Sequence, residues 1–238
     1  MRWLAGTSGY SYKEWKGPFY PEDQKADGML AYYASKLPAV EINNTFYRMP
    51  RENVLETWRD TTPDEFRFAI KASRRITHFA KLEDCEDSID YLAGKLEVLG
   101  EKLACVLFQL PPYLRKDIDR LDRFLSAWPK TFPASIEFRH ASWFDDEIAE
   151  LLRKHNAAIC VSEDDKFDAP NFFVTTNWVY LRLRKPNYDE HTLQTWIERV
   201  ESDRANSDRV DTGYAFFKHE DDGAGPALAA EFLDLASR

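Results

Sequence analysis

The chain has 238 residues, 44% of them hydrophobic and 31% charged, and carries a net charge of −9. It is long enough to bury a real core and has the composition of a globular protein. The acidity argues against a general binder of nucleic acid or anionic membrane, leaving only a local basic groove for such a role, and no run reaches the roughly 18 apolar residues of a membrane span.

Strand-period runs are predicted at Arg2–Gly6, Ala39–Phe46, Arg67–Ala72 and Leu103–Leu110. Four more follow at Ala134–Arg139, Ala157–Ser162, Val179–Arg184 and Gly213–His219. Helix-period stripes separate them. Leu30, Tyr33, Ala34 and Leu37 form the first, and Val54, Leu55 and Trp58 the second. Ile89, Leu92, Leu96 and Leu99 form the third, with Gly100 as its C-cap. Ile118 to Trp128, ended by Pro129, is the fourth, and Phe144 to His155 the fifth. After the sixth strand, Asp168–Asn177 shows no helical stripe. Leu193–Val200 and Leu228–Leu235 are the last two helices, with Pro226 in the first turn of the second.

Regular alternation of strand and helix predicts a parallel sheet with helices outside. Eight units in about 250 residues are the count of a (β/α)8 TIM-type barrel. A doubly wound sheet is the alternative, but no phosphate fingerprint marks its centre. No linker or repeat divides the chain, so residues 1–238 are expected to form a single α/β domain.

The polar residues fall on one parity of these strands. Glu41 and Asn43 share a face of the second, Lys71 lies on the third and Gln109 on the fourth. Glu137 and Arg139 lie on the fifth, Tyr180, Arg182 and Arg184 on the seventh, and Lys218 on the eighth. The opposite parity is almost wholly apolar. Parallel strands are covered on both faces, so a solvated outer face explains the pattern less well than a charged barrel interior. Most of these residues come late in their strands, where barrels build their sites. A purely structural ion-pair network is a further reading of the same residues.

The connections add aromatic and basic groups. Thr7–Pro21 reads TSGYSYKEWKGPFYP and suits a lid or binding loop, with Tyr10 and Trp15 available to stack on a ring. Arg74, Arg75 and His78 follow the third strand, and His140 and Trp143 follow the fifth. Cys85, Cys105 and Cys160 match no metal spacing and are expected as reduced core residues of a cytoplasmic protein. The opening MRWLAGTSGY lacks the apolar run of a signal peptide. Walker loop, nucleophile elbow and His-Glu-x-x-His are all missing. A metal site assembled from His78, His140 and His219 with Glu41 and Glu137 is the minor alternative; neither metal nor cofactor is expected.

Taken in order, TSGYSYKEWKGPFYP, VEINNTFYRMP, FRFAIKASRRITH, LFQLPP, SIEFRHASWF, YLRLRKP and GYAFFKHEDDGAGPALAAEF resemble the domain of unknown function 72 family along nearly the whole chain. The resemblance implies a TIM-type barrel and an intracellular prokaryotic protein, and supplies no reaction. Many members carry asparagines after the last strand, where this chain has His219, Glu220, Asp221 and Asp222.

The functional expectation is an enzyme of hydrolase or lyase type. Glu41, Glu137 and Lys71 would carry acid/base chemistry on a small anionic substrate, such as a phosphate ester, sugar phosphate or nucleotide. Asn43, Gln109, Arg139, Arg182, Lys218, Tyr10, Trp15, His78 and Trp143 would bind it. The alternative is a non-catalytic binder of nucleotides or single-stranded nucleic acid, with Arg74, Arg75, Arg182, Arg184 and Lys185 on the phosphates.

Overall fold

The structure is a computed structural model that describes residues 1–163, 174–185, 187–206, 210–218 and 222–238. Eight parallel strands close into one barrel in sequence order. They are β1 (Arg2–Ser8), β2 (Ala39–Ile42), β3 (Arg67–Lys71), β4 (Leu103–Gln109), β5 (Ala134–Glu137), β6 (Ala158–Glu163), β7 (Trp178–Leu183) and β8 (Thr212–Phe217). Outside them lie α1 (Met29–Ala34), α2 (Glu52–Thr61), α3 (Glu86–Leu96), α4 (Ile118–Ala127), α5 (Asp146–Lys154), α6 (Glu190–Asn206) and α7 (Ala224–Ala236). Most of the irregular sixth connection, residues 168–173, and His219–Asp221 lie outside the described residues.

Local chemistry sets several boundaries. Asp117 and Asp145 cap α4 and α5 by accepting from the backbone N–H groups of Arg120 and Ile148 at 3.0 and 3.1 Å. Trp128 turns extended before Pro129, as a residue preceding proline must. Helix α3 stops at Leu96, and a tighter turn over Glu97–Lys102 follows, with Gly100 at φ 52°. That left-handed backbone is what the glycine supplies. At Gly6 the demand is space: a Cβ there would lie 1.8 Å from the Ala39 carbonyl oxygen on β2.

The barrel interior is filled by complementary volumes. Trp178, Tyr180, Tyr214 and Phe216 come from β7 and β8, while Ala39, Ala69, Cys105, Ala158 and Cys160 come from β2, β3, β4 and β6. Large side chains on one wall thus meet small ones on the other, the complementarity that close-packed interiors need. The opposite parity of each strand, including Val40, Phe68, Phe108, Ile136 and Leu181, packs under the helices. All three cysteines are free and buried.

Two predicted strands are shorter than their period suggests. Strand β2 ends at Ile42, and Asn44–Phe46 forms a helical turn whose Thr45 hydroxyl donates to Ile42 O at 3.0 Å and Lys71 O at 2.7 Å. Strand β5 ends at Glu137, so Arg139 stands on the following loop. Among the described residues, no helix is long and apolar enough to cross a membrane.

Candidate functional site at the barrel mouth

Above the apolar filling lies a polar layer with Arg182 at its centre. The guanidinium of Arg182 is buried and bridges two carboxylates that are themselves fully buried. Its Nη2 donates to Glu41 Oε1 at 2.8 Å and its Nη1 to Glu137 Oε2 at 2.6 Å. Strands β2, β5 and β7 are thereby tied across the barrel.

Both carboxylates are saturated by further donors. Ser8 Oγ and Asn43 Nδ2 each donate to Glu41 Oε1 at 2.8 Å, and the Tyr180 hydroxyl donates to Oε2 at 2.7 Å. Gln109 Nε2 donates to Glu137 Oε1 at 2.9 Å, and Arg139 Nε donates to the same oxygen. Burial alone would raise the Glu41 carboxyl. The charge and hydrogen bond of Arg182, the charge of Arg184 and the Tyr180 hydroxyl outweigh it, holding Glu41 down at about 2. Burial likewise opposes the charges of Arg182 and Arg139, the Gln109 bond and the charge of Lys71, and Glu137 also lies at about 2. Two carboxylates divide into acid and base only when their environments push them apart. Here both are pushed the same way, so both are anions at neutral pH, with weak basicity.

Lys71 is built differently. Its Nζ donates to Gln109 Oε1 at 2.7 Å and lies 4.4 Å from the centroid of the Phe46 ring. Burial, followed by the charge of Arg182, pulls its ammonium down to about 8, against the opposing pull of Glu137 and Glu41. Among the cations lining this mouth, Lys71 is thus the one brought down toward neutrality. His78 is shifted down by burial and by the charge of Lys71.

Above the buried carboxylates lies a cavity of about 530 Å³ at the C-terminal ends of the strands. Lys71, Arg139, Arg182 and Arg184 line it, with Ser8, Tyr12, Asn43, Phe46, Tyr47, His78 and Gln109. Four cations stand over two carboxylates, a formal excess of +2 on a chain whose net charge is −9. A neighbouring cavity of about 560 Å³ lies outside the barrel against α3 and shares Tyr47, but none of the buried carboxylates faces it.

The structure thus brings together Glu41, Asn43, Lys71, His78, Gln109, Glu137, Arg139 and Arg182. It removes four residues expected to bind. Trp15 is fully buried against Tyr12 and Phe19, with ring centroids 4.7 and 5.8 Å away, so it is a packing residue of the first loop. Trp143 is also fully buried, stacked on Phe138 at 4.8 Å and donating through Nε1 to Leu114 O at 2.8 Å. Both rings are spent on the core. Tyr10 packs beside Tyr33 and does not line this cavity, but lines an adjoining recess with Trp58 that shares Tyr12 and Asn43 with it. Lys218 follows β8, and its backbone N–H donates to Leu183 O, but it does not line the cavity; Arg184 stands there instead.

Sequence reasoning placed Tyr180 on the inward parity without giving it a role, and passed over Ser8 and Tyr12. Ser8 and Tyr180 lie on the inward parity, and extending β1 by two residues brings Ser8 into it. No periodicity marks Tyr12, whose hydroxyl reaches Ser8 O at 2.6 Å from the first loop. Of the residues in the metal alternative, both glutamates are taken up by arginine and neutral donors, His140 Nδ1 meets Ser142 Oγ at 2.9 Å, and His219 lies outside the described residues. No group of three or more metal-ligating side chains occurs among the described residues.

Comparison with known proteins places this barrel among its relatives. The family described as "Protein of unknown function DUF72" matches residues 4–238. The UPF0759 protein YecE of Escherichia coli K12 is 32% identical over 228 residues, covering 84% of this chain and 82% of YecE. The UPF0759 protein YunF of Bacillus subtilis 168 is 30% identical over 193 residues, covering 78% of this chain and 62% of YunF. A DUF72 family protein of Thermotoga maritima MSB8 superposes with a TM-score of 0.86 and 26% identity over the full length of both chains. With the ordered motifs, the closed barrel and a match over nearly its whole length, the chain belongs to the DUF72 family.

Proposed function

We propose that the barrel mouth binds a small organic anion, such as a phosphate ester, sugar phosphate or nucleotide, and acts on it as an enzyme of hydrolase or lyase type. The observation that carries this reading is the set of four cations lining one cavity, with only two carboxylates buried beneath them. Uncompensated charge in a partly desolvated cavity is costly, and an anionic ligand would relieve it. Arg139 and Arg184 suit the anionic group, because guanidinium forks match phosphate and carboxylate. Glu41 and Glu137 orient Arg182, and of the three residues expected to carry acid/base chemistry Lys71 takes the proton-transfer role.

Thermal shift measurements with phosphate esters, nucleotides and organic acids test this. A ligand at about a hundred times its dissociation constant stabilises by roughly 2.7 kcal/mol, a rise of about 5–11 °C for a chain of this size. Lys71→Met and Arg139→Met should each erase the rise. A panel without effect on the melting temperature would remove the reading.

One observation favours a second reading. Tyr47, Phe79 and Tyr113 stand out in solvent beside the mouth, with Arg74 over the rings of Tyr47 and Phe79 at 5.4 and 5.2 Å. Exposed rings interleaved with arginine suit a single strand of nucleic acid. Arg74 and Arg75 are exposed, whereas Arg182 is buried on two carboxylates and Lys185 is paired with Glu163 at 2.6 Å. Such binding must weaken steeply with salt, and an oligonucleotide that fails to bind at low salt would dismiss it.

A further inference from the structure

We propose that Lys71 forms a reversible imine with a small carbonyl compound bearing a phosphate or carboxylate group, whose anionic end is held by Arg139 and Arg184. The proposal rests on the anion-binding reading above and narrows its substrate class.

The argument begins from how three lysines of this chain are held. Lys116 meets two carboxylates, Asp145 and Glu147, at 2.5 and 2.6 Å, which keeps it protonated. Lys102 is buried on the carbonyls of Arg59 and Thr62 at the end of α2, where its donors are taken by backbone. Lys71 alone of these three faces a cavity. Its partners there are an amide oxygen and the face of an aromatic ring. The charges facing it are those of Arg182 and Arg184 on one side and Glu137 and Glu41 on the other. A desolvated lysine beside other cations gives up its proton readily and becomes a nucleophile. The same cations would fix the anionic end of a substrate and so hold its carbonyl near Nζ.

The chemistry balances without any outside oxidant. Neutral Nζ attacks the carbonyl carbon, a C–N bond forms, and the C=O π electrons pass to oxygen, which takes a proton. The two protons of the amine leave with that oxygen as water when the C=N bond forms. His78 lines the same cavity, with its Nδ1 at 2.9 Å from Thr77 Oγ1 and its ring against Phe46, and can carry the proton to the departing oxygen.

Pyridoxal 5′-phosphate is a suitable probe because it joins an aldehyde to a phosphate. The full chain would be treated with it, reduced with borohydride and mapped by peptide mass. The expected result is label on Lys71 ahead of the surface lysines, with protection by inorganic phosphate. Pyridoxal without its phosphate should label Lys71 about tenfold less or weaker still, the worth of one charge-assisted hydrogen bond. Label scattered over surface lysines, while phosphate still raises the melting temperature, would overturn the imine and leave the anion site standing. Neither label at Lys71 nor a melting rise with phosphate would overturn both. Equal labelling of Lys71 by pyridoxal, without protection, would overturn the assignment of Arg139 and Arg184. Mapping the unaltered chain settles the matter even if Lys71→Met folds poorly.

Discussion

The hub at Arg182 and the rim at Lys71 face one cavity and are built in opposite ways. At the hub every carboxylate oxygen meets at least one donor, and three strands are locked by charge-assisted bonds. At the rim a single amide oxygen receives the ammonium, and the rest of its surroundings are an aromatic face and open cavity. The carboxylates of the hub are saturated and therefore inert, although Arg182 Nε is buried there without a hydrogen-bond partner. The rim is undersatisfied and therefore able to exchange a partner or a proton. The carboxylates, which look like the chemistry in the sequence, are better understood as the frame that aims the cations.

The contrast can be broken most forcefully at Arg182. Arg182→Met leaves two buried carboxylates without their shared cation and should cost about 3–5 kcal/mol in urea unfolding. A loss under about 1 kcal/mol would mean that the hub holds nothing together. Acid is the next lever. Glu41 and Glu137 bind protons more weakly in the folded chain than in the unfolded one. Their contribution is therefore present above about 4.5 and is lost as pH falls toward about 2, which melting curves across that range would follow. Trp143→Phe should cost about 1–3 kcal/mol by leaving the Leu114 carbonyl unpaired. It should leave any ligand-induced melting shift unchanged, since the ring serves the core. Lys71→Met should change stability least, within about 1 kcal/mol at neutral pH, because it removes a partly desolvated charge along with its one hydrogen bond. It should also flatten the alkaline limb. Between about 8 and 10.5 the unfolded chain holds the Lys71 proton when the folded chain does not, so stability rises with pH there in the parent and not in the variant.

What could be read from the sequence follows from periodicity. A strand alternates its faces with a period of two, so Glu41, Lys71, Gln109, Glu137 and Arg182 declare a shared interior before any coordinates exist. Asn43 and Arg139 follow the same parity although they stand just past their strands. Loops have no such period, and there the reading fails. Trp15 and Trp143 announce large rings but not which way the rings turn, and both turn inward. Lys218 and Arg184 share the inward parity at the ends of neighbouring strands, yet Arg184 lines the cavity and Lys218 does not, a difference that parity cannot show. Composition also hides partnership. Nothing in the order of residues says that one arginine would bridge both glutamates, and that pairing is what turns two candidate acids into a frame.

The central claim is that Lys71, rather than Glu41 or Glu137, exchanges its proton near neutrality at this mouth. Nuclear magnetic resonance of isotope-labelled lysine side chains, with Lys71 assigned through Lys71→Met, reads this directly as pH is varied with and without inorganic phosphate. The account predicts that Lys71 titrates near 8, apart from the remaining lysines, and moves upward when phosphate binds. Titration at the ordinary 10.5, unmoved by phosphate, would contradict it.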